Sequence, residues 1–136
     1  MTPDEARARF EEARVARLAT VGTDGAPHIV PVTFALDGDT IVTAVDGKPK
    51  RGTPLRRVQN IAVNPRITVL VDAYDEDWTH LWWARADGHA SLVTDGAELE
   101  RALGALRARY PQYATVALAG PAIVIAVDRW SGWSAT

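Results

Sequence analysis

Cysteine is absent from the 136 residues, which excludes disulfide staples and thiolate metal sites. Long hydrophobic runs are absent too. The longest nearly apolar stretch, residues 116–127, contains Gly120 and Pro121 and falls short of the roughly 20 residues that span a bilayer. The opening MTPDEARARF has no apolar core of a secretory signal. The expectation is therefore a cytoplasmic protein with no membrane partner. Charge of one sign is also scarce. A balance of 15 Lys plus Arg against 17 Asp plus Glu supplies no global basic field of the kind that dominates nucleic-acid binding. His28, His80 and His89 lack the spacing of a metal site, and no nucleophile triad or carboxylate pair follows from residue order. No metal is expected, and no catalytic residue is assigned.

What is present fits one globular domain over residues 1–136, since this length buries a single core. Residues 2–17 open with Thr2 as N-cap, Pro3 in the first turn and Asp4 and Glu5 near the positive helix end. Ala6, Phe10 and Ala13 then recur at helical spacing, with the stem of Arg17 extending the same side. From Arg17 the period becomes two. Residues 17–22, 27–36 and 40–45 read as strands separated by Asp24-Gly25 and Asp37-Gly38-Asp39 turns. A short helix follows over residues 55–64, with Thr53 as N-cap and Asn64-Pro65 as its stop. Strands at 66–74 and 81–92, a helix at 95–110 with Leu99, Leu103, Leu106 and Tyr110 on one face, and a strand at 122–130 complete the chain. Six strands with few helices predict a mainly β (α+β) fold, an antiparallel barrel with peripheral helices.

The segment Gly47-Lys48-Pro49-Lys50-Arg51-Gly52-Thr53-Pro54-Leu55-Arg56-Arg57 packs five cations around a strand-to-helix connection. Converging cations beside a helix start are what a phosphate requires, whereas a solvated face is the ordinary reading of a charge run. Nucleic acid fits this loop less well, because no aromatic residues interleave with the cations. Pro31, inside a strand pattern, marks an edge, a bulge or a place where backbone meets a ligand. Five tryptophans are many for the length. Trp78, Trp82 and Trp83 cluster near residues 75–80, and alternation sends Trp82 and Trp83 to opposite faces. Core and dimer contacts are the ordinary reading of Trp83, while Trp78 and Trp82 are also open as a wall for a planar ring.

Ala19-Thr20, Asp24-Gly25, residues 27–34, the Lys-Pro-Lys loop, Asn64-Pro65-Arg66 and residues 69–72 together resemble the split β-barrel flavoproteins related to pyridoxamine 5′-phosphate oxidase. Tyr74-Asp75-Glu76-Asp77-Trp78 followed by Leu81-Trp82-Trp83 resembles the subgroup that uses the deazaflavin coenzyme F420. The resemblance covers nearly the whole chain.

It implies a six-stranded split barrel that forms a homodimer with a cofactor groove between protomers. Lys48, Lys50, Arg51, Arg56 and Arg57 match the region that grips phosphate. Val30, Pro31, Val32, Thr43, Ala44 and Val45 match the backbone wall under the ring, with Trp78 coming from the other subunit. The implied function is an F420-dependent reductase that transfers hydride to a small organic substrate. FMN is the alternative cofactor, and a non-enzymatic F420, FMN or haem carrier is the alternative role. Water would supply the substrate's proton, with His80 or Tyr74 as alternatives. The arginine-led flavin-phosphate motif of true pyridoxamine phosphate oxidases is not evident, and their C-terminal substrate residues have no clear match in residues 130–133, which argues against vitamin B6 oxidation.

Overall fold

Period-two alternation from residue 16 onward becomes, in a computed structural model, one seven-stranded sheet in which every neighbouring pair is antiparallel. The structure describes residues 1–46 and 55–136. Its elements are α1 (Pro3–Glu12), β1 (Ala16–Val21), β2 (Pro27–Val32), β3 (Ala35–Asp37), β4 (Thr40–Asp46), α2 (Arg56–Val63), β5 (Arg66–Ala73), β6 (Trp82–Val93), α3 (Gly96–Arg109) and β7 (Leu118–Ser134). Among the described residues, no helix is long and apolar enough to cross a membrane.

The sheet order is β2-β1-β5-β6-β7-β4-β3. β2 and β3 therefore stand at opposite ends of the order, yet only Thr33 and Phe34 separate them in the chain. From Val32 to Ala35 the chain reaches only roughly 10 Å, so the sheet must curl until its edges meet. The Thr43 hydroxyl on β4 donates to the Thr33 carbonyl at 2.7 Å across this seam. The result is the expected split barrel with seven paired segments rather than six, because the strand expected over residues 27–36 is divided at the corner. Division follows from where Phe34 finds its partners. Its N–H donates to Tyr110 Oη at 3.1 Å, and its carbonyl lies 2.9 Å from the same hydroxyl, so this backbone leaves the ladder for the side chain at the C-cap of α3.

Phe10 plugs one end of the barrel. It is fully buried and meets Phe34 and Trp130 edge to face, with centroids 5.8 and 5.1 Å away. Thr2 caps α1 as expected, accepting the Glu5 N–H at 3.1 Å. The helix stops at Glu12 rather than near residue 17, since β1 already buries Ala16, Leu18 and Thr20 on alternate positions. Arg17 thus lies exposed on the outer sheet face instead of on a helix. A second cluster forms where Leu99, Leu103, Leu106 and Tyr110 of the α3 region cover Val42, Ala44 and Ala122. Leu55, not Thr53, holds the N-cap position of α2, and Asn64 ends that helix by donating its N–H to Asn60 O at 2.8 Å.

β6 and β7 are the longest strands, and both run beyond their expected ends. Their ladder shifts register at Asp87/Gly88, where a side chain at Gly88 would place its Cβ 2.3 Å from the Ala126 carbonyl oxygen. Trp82 packs against the core beneath the Arg9 guanidinium, 4.7 Å from its ring. Trp83, opposite Asp72 and Trp133, takes the outer face.

Two substitutions separate these contributions. Phe10→Ala should lower unfolding free energy by about 3–5 kcal/mol through the void it leaves. Tyr110→Phe should cost about 1–3 kcal/mol, because it strands buried backbone groups while keeping the ring. Urea denaturation of both variants checks the order; a Tyr110→Phe protein as stable as the parent would remove the hydroxyl from the account of the corner.

Candidate functional site

The corner between β2 and β3 leaves a cleft of about 250 Å³, lined by Val15, Pro31, Val32, Thr33, Thr43, Ala44 and Arg57. Each wall has a local cause. β2 pairs only with β1, so Pro31 sits in an edge strand where its missing N–H breaks no central ladder. Ala44 and Thr43 are short, which keeps the β4 wall flat beside the opening. Arg57 belongs to the first turn of α2, whose N-cap residue, Leu55, makes no side-chain cap bond. A half-buried guanidinium from the first turn of a helix thus lines a cleft that is otherwise neutral among the described residues.

Five of the expected site residues, Pro31, Val32, Thr43, Ala44 and Arg57, come together here. Val30 and Val45 do not line the cleft: Val30 packs against the core and Val45 is buried. Val30 shares the inward face of Val32 but lies two residues further from the corner, opposite Leu18 in the core. Arg56 is exposed beside Arg57. Lys48, Lys50 and Arg51 lie outside the described residues. Val15 and Thr33 are lining residues that the sequence reading missed. Val15 was hidden by the assumption that α1 ran on, and Thr33 by the assumption of an unbroken strand.

Trp78 stands apart from this cleft within the single chain. It occupies a 3₁₀ turn, Trp78–His80, in the connection between β5 and β6. The indole is 69% exposed and Tyr74 is 68% exposed, so both aromatic groups project from the hairpin. The Trp78 Nε1–H donates weakly to Tyr74 Oη at 3.4 Å. Asp75 accepts the Asp77 N–H at 2.7 Å and lies 3.3 Å from His80 Nδ1. Asp77 accepts the Thr79 hydroxyl at 2.7 Å and the Thr79 N–H at 3.1 Å. His80 and Tyr74, the expected alternatives for a proton donor, are both here and not in the cleft.

These contacts hold both carboxyls below their ordinary range. For Asp75 the backbone N–H of Asp77 dominates, followed by His80; for Asp77 the Thr79 hydroxyl dominates, followed by its N–H. A depressed carboxyl pKa favours the ordered turn above the ordinary value of 3.8 and loses that effect as pH falls through the lower, folded value. The Trp78 indole resonance should therefore hold its neutral-pH position down to the ordinary carboxyl range and move only below it. A transition centred above that range would show that the carboxylates do not organise the turn.

The family model described as Pyridoxamine 5′-phosphate oxidase matches residues 2–134. A 5a,11a-dehydrotetracycline/5a,11a-dehydrooxytetracycline reductase of Streptomyces rimosus is 39% identical over 56 residues, which are 41% of this chain and 38% of the reductase. The match thus spans well under half of that relative's length. A conserved hypothetical protein of Mycobacterium tuberculosis superposes with a TM-score of 0.75 at 20% identity, covering 99% of this chain and 86% of that one. A FAD-binding protein of Mesorhizobium loti superposes with a TM-score of 0.71 at 20% identity, covering 97% and 92% respectively. At such identities the superpositions show the fold.

Proposed function

We propose that this chain, which belongs to the pyridoxamine 5′-phosphate oxidase family, is a homodimeric reductase that holds the deazaflavin F420 against the β2/β4 cleft. The observation that carries the reading is the convergence of Pro31, Val32, Thr43, Ala44 and Arg57 on one opening. The donor set fits the group: flat, short-chained walls suit a planar ring, and one guanidinium beside a helix start suits a phosphate. Lys48, Lys50, Arg51 and Arg56 extend that positive charge along the sequence on either side of the helix start. Likeness to the hairpin sequence of the deazaflavin subgroup, Tyr74 to Trp83, favours F420 over FMN. The partial likeness to a reductase favours reduction as the direction.

When bound in reduced form, the deazaflavin supplies a hydride to an activated double bond of a small planar substrate. The protein's own part is placement and exclusion of water. Pro31, Val32 and Ala44 present apolar surface to the ring, Thr43 is fixed by its bond to Thr33 O, and Arg57 anchors charge at the α2 end. In a homodimer, Trp78 of the partner subunit would supply a further aromatic wall for the ring.

The outer sheet face supports the dimer. Ile29, Leu70, Trp83 and Trp133 share it by register, and Ile29 and Trp133 are 62% and 47% exposed. Large apolar groups gathered on one face suit an isologous contact.

Titration of the protein with oxidised F420 and with FMN, read by tryptophan quenching at low and high salt, tests the reading. F420 should bind more tightly, and salt should weaken it. Arg57→Ala should raise its Kd roughly tenfold or more, the scale of one charge-assisted hydrogen bond; a Lys50→Ala/Arg51→Ala protein should show a further loss. Preference for FMN would transfer the assignment to a flavin oxidoreductase, and binding of neither would end the cofactor reading. In sedimentation, Ile29→Glu should shift a two-chain species toward one chain and weaken F420 binding together; a monomeric parent that still binds would refute the shared groove.

A further inference from the structure

Past Thr33 the first cleft is followed by a second, of about 330 Å³, lined by Arg14, Thr33, Tyr110, Gln112, Tyr113 and Val116. Thr33 belongs to both linings. Its hydroxyl lies 2.6 Å from Tyr113 Oη, so the wall between the clefts is a hydrogen-bonded pair of hydroxyl groups. The floor is rigid: the Tyr110 and Tyr113 rings meet edge to face with centroids 5.9 Å apart, and the Tyr110 hydroxyl is held by the Phe34 backbone and by the Arg14 carbonyl at 3.0 Å.

Charge distinguishes this cleft from the grooves beside it. Next to α1 and α3, Arg7 is neutralised by Glu11 at 2.6 Å and Arg101 by Asp37 at 2.6 Å. Among the described residues neither Thr33 cleft has a carboxylate in its lining, and Arg14 forms no ion pair. The Arg14 guanidinium is nevertheless held, 4.8 Å over the Tyr110 ring and donating to Arg109 O at 3.2 Å. A pre-placed cation, a neighbouring amide and an aromatic floor are complementary to a flat anion.

We infer that this second cleft is the acceptor subsite of the proposed reductase and takes a flat ring bearing an ionised oxygen, whether enolate, phenolate or carboxylate. Arg14 and Gln112 hold the oxygen, the tyrosine floor supports the ring, and Thr33 touches the cofactor on one side and the acceptor on the other. The inference rests on the reductase reading for its role, while the anion preference rests on the cleft alone.

Two probes of one ring size test it by calorimetry: 2-hydroxy-1,4-naphthoquinone, an anion at neutral pH, and uncharged 1,4-naphthoquinone. With no cysteine in the chain, quinone addition to a thiol does not interfere. Protein loaded with oxidised F420 should bind the anion roughly tenfold more tightly or better, the scale of one charge-assisted hydrogen bond. Arg14→Ala should abolish that preference while leaving affinity for the neutral quinone and for F420 unchanged. Gln112→Leu, at an exposed position, should reduce the preference without altering thermal stability. Equal affinity for the two quinones, binding of neither, or a preference that survives Arg14→Ala overturns the subsite. If the parent binds neither F420 nor FMN, the reductase reading fails by itself, and the same titration of unloaded protein still decides the anion preference.

Discussion

The passage from β2 to β3 in two residues is the constraint on which the other features depend. An antiparallel sheet of this order, if flat, would hold its first and last strands far apart. Because Thr33 and Phe34 must span between them, the sheet closes into a barrel, Phe34 turns inward against Phe10, and a seam opens beside Pro31 and Ala44. Closing the seam leaves the Phe34 N–H and carbonyl without ladder partners. The Tyr110 hydroxyl accepts the one and reaches the other, so a residue 76 positions away completes the corner.

Arg109 carries out related work at the same junction. The last carbonyls of α1 have no partners within the helix, and the Arg109 guanidinium gathers those of Phe10 at 3.3 Å and Glu11 at 3.1 Å, together with Ala13 and, at 3.0 Å, Phe34. Partial burial, with Arg14 nearby, lowers its pKa from the ordinary guanidinium value. An arginine remains charged under such conditions, so Arg109 ties α1, the corner and the end of α3 into one block. Both clefts open beside this block, which gives Thr33 a fixed position between them. For the proposed reductase, rigidity at Thr33 would fix the separation of cofactor and acceptor that a hydride transfer requires.

Much of this arrangement was legible in the residues. Thr2 and Pro3 started α1 where expected, the Gly38 turn with its φ of 62° separated β3 from β4, and Asn64-Pro65 ended α2, since each of these signals acts within a few residues. Pro31 marked its strand as an edge, a bulge or a ligand contact, and β2 does stand at an end of the sheet order. Of the expected wall residues, Pro31, Val32, Thr43 and Ala44 line the cleft, whereas Val30 and Val45 do not, because the cleft opens at the strand corner and Val30 pairs further along β2, opposite Leu18 in the core.

The sequence by itself thus determined the elements, the period of their burial and a family pattern, all properties encoded by near neighbours. Only tertiary structure decided that residues 27–36 would break at Thr33, that Tyr110 would serve as the partner of the broken strand, and that Val15 and Arg57 would line one opening. Those outcomes depend on contacts between residues tens of positions apart, which no local spacing encodes. Phe34 leaves the ladder only because closure of the barrel brings the end of α3 to it, and closure is a property of all seven strands together.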